Sequence, residues 1–267
     1  MLKVNNPSKR FSRMVSLAVS SLSMALLMST GVLAKGKDVA TAKATFVKGK
    51  AEVGATADGP FKKLKRNKKV MAGSFLKTHE NARVELRFKD GSILRVGPSS
   101  TLQLSGANLD SKSSEVQVNA TLIGGKAWAN VSKMVGTESS FEVKTHNAVA
   151  GVRGTVFRVD LDQDQATVVK VYNGAVAVSN SPFFTDKAAG KKSLSPIDPG
   201  RKQIAAPFQQ ISKKEWEQVV KRMMIVKVGG DGTMSDAVAF NESQDKMQDP
   251  DWVSWNLACD KGDCDAY

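Results

Sequence analysis

The 267-residue sequence has only two cysteines and two histidines, and aromatic residues make up 6% of it. So few cysteines and histidines leave little material for a multi-ligand metal centre or for a cysteine–histidine catalytic pair. The sequence also has no phosphate-binding glycine loop and no dinucleotide-binding fingerprint. We therefore expect no catalytic residues, no metal site and no cofactor. The hydrophobic fraction of 41% is that of a globular chain with a buried core.

The amino terminus has the pattern of an export signal. Four basic residues precede an uncharged stretch from Met14 to Leu33, which is followed by Ala34. Serines and threonines make this stretch weakly apolar for an uncleaved membrane anchor, which is the alternative. No cysteine lies near Ala34 to accept a lipid. The sequence predicts a cleaved signal peptide at residues 1–34, a periplasmic or otherwise exported protein, and no lipoprotein.

Charge is unevenly distributed in a chain whose formal net charge is +13. Residues 229–267 hold nine acidic residues and two lysines, so the rest of the chain is strongly basic. Little periodicity and much Asp, Ser and Gln predict a flexible acidic tail, with Trp252 and Trp255 as anchoring points. Cys259 and Cys264 are close enough in sequence to form a small disulfide loop in an oxidising compartment. The alternative, a redox pair, lacks the Cys-x-x-Cys spacing.

Residues 41–206 show the period-two alternation of short β-strands. In Ala82–Phe88, for example, the apolar Val84 and Leu86 face one side, and charged residues face the other. Asp90-Gly91 follows as a tight-turn dipeptide, and glycines recur at the other bends. The sequence therefore predicts an all-β domain over residues 41–206.

One helix is predicted after this domain. Ser212 to Glu215 has the form of a capping box, and apolar residues recur at helical spacing as far as Met224. The pattern predicts an amphipathic helix at residues 212–228, which ends before Gly229-Gly230. We expect its apolar stripe to pack on the β domain; the alternative is an exposed helix that binds a partner.

Three segments together resemble the FecR domain family of bacterial envelope proteins. They are Gly73–Pro98, Phe141–Val159 and Thr167–Val178, and the second contains the block Val-Arg-Gly-Thr. The resemblance extends over about residues 41–206. It implies an all-β periplasmic domain that is either a β-solenoid or an irregular β-sandwich.

The resemblance also carries expectations about function and about single residues. In the best-known members, this domain relays occupancy of an outer-membrane transporter to an inner anti-sigma segment. Only 13 residues precede the apolar stretch here, which we expect to be too few for such a segment. In the motif itself, Gly151 and Gly154 suit conformations or close approaches that a Cβ would block. We expect Arg153, next to Gly154 and Thr155, to be a structural clamp on neighbouring carbonyls; the alternative is a ligand-binding arginine.

A run of cations supplies the candidate binding residues. Six of them fall within eight positions: Lys62, Lys63, Lys65, Arg66, Lys68 and Lys69. One interpretation is a solvated edge that resists strand pairing. The other is a patch for an anionic partner: lipopolysaccharide phosphates, an acidic glycan, a membrane surface or an acidic envelope protein. Export and the lack of interleaved aromatic residues argue against nucleic acid.

These features favour a non-catalytic interaction module of the cell envelope that docks a protein or a glycan. One alternative is a component of envelope signalling related to FecR-type sigma-factor regulation. The other is an envelope glycan-processing enzyme with paired carboxylates such as Glu138 and Glu142. Nothing in the sequence indicates an oligomeric state.

Overall fold

The structure is a computed structural model that describes residues 41–109, 116–132, 139–180 and 217–266. Within these ranges the chain forms eighteen β-strands, two α-helices and a short 3-10 turn at Cys264–Ala266. The first nine strands are β1 (Thr41–Lys48), β2 (Ala51–Gly54), β3 (Phe61–Lys63), β4 (Lys69–Met71), β5 (Phe75–Thr78), β6 (Arg83–Arg87), β7 (Ile93–Val96), β8 (Thr101–Leu109) and β9 (Val116–Gly124). The next nine are β10 (Lys126–Asn130), β11 (Ser140–Lys144), β12 (Ala148–Val152), β13 (Val156–Leu161), β14 (Thr167–Asn173), β15 (Ala175–Asn180), β16 (Glu217–Lys221), β17 (Met224–Val228) and β18 (Val238–Ala239). The helices are α1 (Glu242–Gln248) and α2 (Pro250–Asp260).

The strands form two nine-stranded sheets. Sheet I has the order β4-β1-β6-β7-β10-β13-β14-β17-β18, and sheet II has the order β3-β2-β5-β8-β9-β11-β12-β15-β16. Pairing is antiparallel throughout both sheets, except that β9 and β11 are parallel. The chain passes repeatedly from one sheet to the other, and both sheets grow from the β3/β4 end towards the β16/β18 end. The predicted all-β class is confirmed, in the form of a two-layer sandwich that adds strands progressively, as a solenoid does.

A single apolar core lies between the two sheets. The predicted inward residues Val84 and Leu86 of sheet I are fully buried in it, together with residues of sheet II such as Leu102. Phe88 meets Phe141 edge to face, with ring centroids 5.8 Å apart. Because side chains alternate along a strand, the intervening residues of sheet I form its outer face, which carries most of the features described below.

The helix predicted at residues 212–228 is wrong where the structure describes this region. Residues 217–221 form β16 and residues 224–228 form β17, and Met223 in the turn between them has φ = +59°. The spacing of the apolar residues suggests a helix, but most of these apolar residues are β-branched and favour extended structure. Val220 and Val226 reach the core from different sheets. The proposed capping box lies outside the described residues.

The predicted flexible tail is also wrong over the described part of residues 229–267. Strand β18 and the helices α1 and α2 form here, and Trp252 and Trp255 are at most 1% exposed. Trp255 packs against Phe46 of β1, with ring centroids 5.2 Å apart. The composition of the tail is polar, yet the two buried indoles remove apolar surface from water and so favour packing of the helices on sheet I. The predicted disulfide between Cys259 and Cys264 is present.

Residues 1–34, the predicted signal peptide, lie outside the described residues. So do residues 181–206, the last part of the predicted β domain. Among the helices that the structure describes, none has the length and apolar character needed to cross a bilayer.

Candidate functional site: a basic edge of the sandwich

The six predicted binding cations lie at one end of the sandwich, where the chain crosses between the sheets. In the part of the chain that the structure describes, β3 is the outermost strand of sheet II, β4 is the outermost strand of sheet I, and residues 64–68 connect them. Leu64 and Val70 are buried in the core and anchor this connection. All six cations are exposed. We call them the basic edge: Lys62, Lys63, Lys65, Arg66, Lys68 and Lys69.

Main-chain hydrogen bonds fix the backbone of the basic edge. The amide of Leu64 donates to the carbonyl of Ala51 (2.8 Å), and the amide of Asn67 donates to the carbonyl of Ala44 (2.7 Å). Asn67 has φ = +66°, a left-handed conformation that asparagine adopts more readily than most residues. The cations therefore project from a scaffold that is tied to β1 and β2.

Lys43 on β1 extends the basic edge across the outer face of sheet I. It stands directly opposite Lys69 of β4 on one side and Arg87 of β6 on the other. All three residues are exposed. Arg87 is paired with Glu85 at 3.2 Å, but Lys43 and Lys69 form no ion pair within the described residues. We call these three residues the cation row.

Protection of a sheet edge explains some of these cations but not Lys43. Lysines on β3 and β4 discourage pairing with another chain. Strand β1, however, has β4 on one side and β6 on the other, so it is not an edge. Like charges directly opposite each other destabilise a sheet. Lys43 therefore costs stability without protecting an edge, which is the property expected of a residue that meets an anion.

A cleft of about 240 Å³ opens beside the cation row, between sheet I and the disulfide loop. Thr45, Arg66, Arg87 and Asp265 are among its lining residues. Arg66 lies 4.0 Å from Asp265, and both side chains are largely exposed, so this pairing is weak. Arg66 therefore remains accessible to a stronger anion.

The predicted FecR motif lies at the turn between β12 and β13, far from the basic edge in the strand order of the sheets. Gly154 has φ = +65°, which a side chain disfavours. The Thr155 hydroxyl donates to the carbonyl of Ala175 at 2.9 Å. The Arg153 guanidinium donates to the carbonyl of Ser139 at 3.4 Å. These contacts join consecutive strand connections, and the clamp remains our interpretation of them.

Gly151 does not fit the sequence-based argument made for it. Its φ is not positive, and a Cβ placed on it would have no neighbour closer than 4.0 Å, the carbonyl oxygen of Ala177. Gly151 instead leaves room on the outer face of sheet II. It lines a shallow depression of about 460 Å³, together with Glu142, Arg153, Ala177 and others.

The outer face of sheet I carries a second set of charges that the sequence did not predict. Side chains in direct cross-strand register form a row over five strands, β6, β7, β10, β13 and β14. The row consists of Glu85, Arg95, Trp128, Arg158 and Lys170. Helices α1 and α2 cover it, so its charged members are at most 8% exposed. Buried charges are costly unless they are paired.

Asp260 at the end of α2 supplies one set of partners for this row. Its carboxylate accepts hydrogen bonds from Arg95 (2.7 Å), from the Trp128 indole (3.0 Å) and from Asn130 (2.9 Å). Arg95 also donates to Glu85 at 2.9 Å. The last turn of α2 is thus fixed to the middle of sheet I.

Asp245 and Asp249 supply the other set of partners. Asp245 lies 2.5 Å from the Lys170 ammonium and 3.3 Å from the Arg158 guanidinium, and it accepts a hydrogen bond from Tyr172. Asp249 accepts hydrogen bonds from Lys126 (2.6 Å) and Arg158 (3.1 Å).

Burial and the neighbouring charges shift the pKa values of several groups in this network. Burial would raise the pKa of Asp245, but Arg158 and the hydrogen bonds from Lys170 and Tyr172 lower it below its ordinary value. Burial raises the pKa of Tyr172, and its hydrogen bond to Asp245 raises it further. Burial would lower the pKa of Arg158, but the carboxylates of Asp160 and Asp245 raise it above its ordinary value. At neutral pH, Asp245 and Arg158 are therefore both ionised where α1 meets sheet I.

Of the two carboxylates considered for catalysis, Glu138 and Glu142, the structure describes only Glu142. Glu138 lies outside the described residues. Glu142 forms an ion pair with Lys144 at 3.0 Å. His79 lies 2.7 Å from Glu52, a contact that lowers the pKa of Glu52.

The middle of the chain is similar in sequence to a known protein family. Residues 74–177 match the family model described as FecR protein. The resemblance predicted from the sequence is thus confirmed over these residues. This region includes the Val-Arg-Gly-Thr block. The basic edge, Lys43 and the helices lie outside it.

No curated protein matches the chain. Two crystal structures from Parabacteroides distasonis ATCC 8503, described as candidate anti-sigma factors, are similar to it. The first is 14% identical, with a TM-score of 0.42 over 66% of this chain and 64% of that one. The second is 16% identical, with a TM-score of 0.39 over 62% and 59% of the two chains. The chain thus spans less than two thirds of the length of either protein.

Proposed function

We propose that the protein is a non-catalytic, exported interaction module of the cell envelope that docks an anionic glycan through the basic edge and the cation row. The observation that carries the proposal is the direct opposition of Lys43 and Lys69. Neither is paired within the described residues, and their opposition works against the stability of the sheet. A ligand with several phosphates or carboxylates would neutralise both cations.

The composition of the surface favours a glycan over an acidic protein. The cores of protein interfaces are enriched in aromatic residues and arginine, and depleted of lysine. Five of the six cations in the basic edge are lysines, and Phe61, half-buried, is its nearest aromatic neighbour in sequence. A lysine-rich surface suits a polyanion, whose binding is driven by charge neutralisation and release of counterions. Lipopolysaccharide, which carries phosphates, is an appropriate probe.

The experiment is titration of purified lipopolysaccharide, with and without prior dephosphorylation, into the wild-type protein and the Lys43→Glu/Lys69→Glu variant. A cation near an anionic surface contributes about 1 kcal/mol. Reversing two cations is therefore expected to weaken binding roughly 30-fold or more, since each 1.4 kcal/mol is a factor of about ten. Dephosphorylated lipopolysaccharide should bind weakly to both proteins.

Lys89→Glu/Lys261→Glu is the matched control, because it makes the same change in net charge at two exposed lysines outside the basic edge and the cation row. Its affinity should stay close to that of the wild type. Equal loss in both double variants would mean that net charge alone governs binding. Wild-type protein that binds an acidic envelope protein but no glycan would replace the glycan with a protein partner.

A second candidate function is a component of envelope signalling. The match of residues 74–177 to the FecR protein family supports it. A strain without this protein is then expected to show an altered transcriptome under envelope stress. A transcriptome identical to that of the parent strain would count against signalling and would leave the docking proposal standing.

A further inference from the structure

The two ends of the sandwich differ in how their edge strands are protected. At one end, β3 and β4 carry the basic edge. At the other end, β16 and β18 are the outermost strands among the described residues. Each of these carries an exposed valine: Val219 is 56% exposed and Val238 is 57% exposed. An open sheet edge with exposed apolar side chains is a template for pairing with another chain.

β16 is the better template of the two. It has five residues, whereas β18 has two, and at about 3.3 Å per residue it offers an edge of roughly 17 Å. Within the described residues it pairs with β15 alone. Val220 is buried in the core and Val219 points to the outer face. Among the described residues, the strand is therefore paired on one side and has no neighbouring strand on the other.

The outer face of sheet II has a depression next to Val219. Glu142, Gly151, Ala177 and Val219 follow one another in direct register over four strands. The small residues Gly151 and Ala177 leave the depression of about 460 Å³ beside Val219. Gly151 is not required there by its backbone or by its neighbours. Within the described residues, this depression has room for a side chain that reaches across from an added strand.

The sequence of β16 indicates which strand would be added. It reads Glu-Gln-Val-Val-Lys, with opposite charges at its two ends. We propose that β16 pairs antiparallel with β16 of a second copy of this chain, about a two-fold axis at Val219. In this register Val219 stands opposite Val219, and Glu217 of each copy stands opposite Lys221 of the other. The same patch is used by both copies, as a two-fold interface requires, and opposite charges across strands stabilise the pair.

The proposed dimer has a small interface and leaves both basic edges free. Five residues from each copy bury less area than the ~1,200 Å² of a stable complex, so the dimer is expected to dissociate on dilution. The basic edges lie at the opposite ends of the sheets and would remain free in both copies. Two basic edges on one particle would increase binding to a repetitive polyanion through multivalency.

Sedimentation equilibrium of the full exported chain over a dilution series tests the proposal. The wild type is expected to approach twice the mass of one chain at high concentration. Lys221→Glu places like charges opposite each other twice and should weaken the dimer about tenfold or more. Glu217→Lys/Lys221→Glu restores complementary pairs in the same register and should restore the dimer. Lys89→Glu, at an exposed site away from β16, is the control and should dimerise like the wild type.

A wild type that stays at the mass of one chain at every concentration overturns the proposal. A dimer that is indifferent to Lys221→Glu, or that is not rescued by the double variant, also overturns it. Circular dichroism of each variant verifies that the sheets are intact. Lipopolysaccharide titration of the Lys221→Glu variant separates this proposal from glycan docking, because a monomer should still bind through its basic edge.

Discussion

Lys43 and Lys69 stand directly opposite each other on neighbouring strands, and neither forms an ion pair within the described residues. Arg87 stands on the other side of Lys43. Both pairs of opposed cations lower the stability of the sheet, because like charges on directly opposite residues of neighbouring strands repel. Their presence on an interior strand is the main structural argument that this surface meets an anion.

Lys43→Glu is therefore expected to stabilise the protein while it weakens glycan binding. The new carboxylate would face a cation on each side, and opposite-charge pairs contribute roughly 0.2–1 kcal/mol each relative to alanine pairs. Urea unfolding should show a higher midpoint with an unchanged m-value. Lys77→Glu is the comparison, because Lys77 stands opposite Glu52 and its reversal should lower the midpoint. A Lys43→Glu variant less stable than the wild type would contradict our interpretation of the row.

The two glycines of the FecR motif should respond differently to alanine. Gly154 has a positive φ, so Gly154→Ala is expected to cost about 1 kcal/mol or more. Gly151 has neither a positive φ nor a close neighbour, so Gly151→Ala should be neutral or slightly stabilising. Thermal unfolding of both variants measures the difference. Equal destabilisation would mean that Gly151 is required for folding after all.

Asp245→Asn tests the charge network under the helices. The variant leaves Arg158 and Lys170 with one carboxylate fewer in a buried site, which typically costs about 3–5 kcal/mol. Because the pKa of Asp245 is lowered in the fold, its stabilisation is present above the ordinary value of 3.8 and is lost as the pH falls through the folded-state pKa. The stability difference between wild type and variant, measured by urea unfolding, should thus shrink as the pH falls below 3.8. A difference independent of pH would contradict the ionised pairing.

Tyr172→Phe tests the same network at alkaline pH. The pKa of Tyr172 is raised in the fold, so the stabilisation from its hydroxyl is fully present below about pH 10 and is lost as the pH rises towards the folded-state pKa. At neutral pH the variant should be less stable by about 1.5–3 kcal/mol, the range for a hydrogen bond to a charged group. Above pH 10 the wild type should lose this advantage. Unfolding curves at pH 8 and above pH 10 give the comparison, and an advantage that persists unchanged would contradict it.

Local alternation was enough to predict much of the β-structure. The strand expected within Ala82–Phe88 is present as β6, with Val84 and Leu86 in the core. The helical spacing of apolar residues between Val219 and Met224 predicts a helix, but these residues belong to two short strands and the turn between them. β-branched side chains at Val219 and Val220 were the available signal against a helix.

The charged features depend on contacts between distant segments. Arg158 and Asp245 are 87 residues apart in sequence, and nothing local to either predicts the pairing. Lys43 joins the basic edge only because β1 lies between β4 and β6. The run at residues 62–69 was visible in the sequence, whereas the row across strands required the strand order and its register.

The salt dependence of lipopolysaccharide binding tests the central claim most directly. When a cation contacts an anionic site on a polyanion, it releases condensed counterions, about 0.9 per contact on double-stranded DNA and about 0.7 on a single strand, so each contact steepens the fall of log K with log salt concentration. Replacing Lys43 and Lys69 by glutamine should therefore reduce the slope by about two units. The control variant Lys89→Gln/Lys261→Gln should keep the wild-type slope. A double variant that keeps the wild-type slope would show that these two cations do not contact the ligand, and the docking surface assigned here would be wrong.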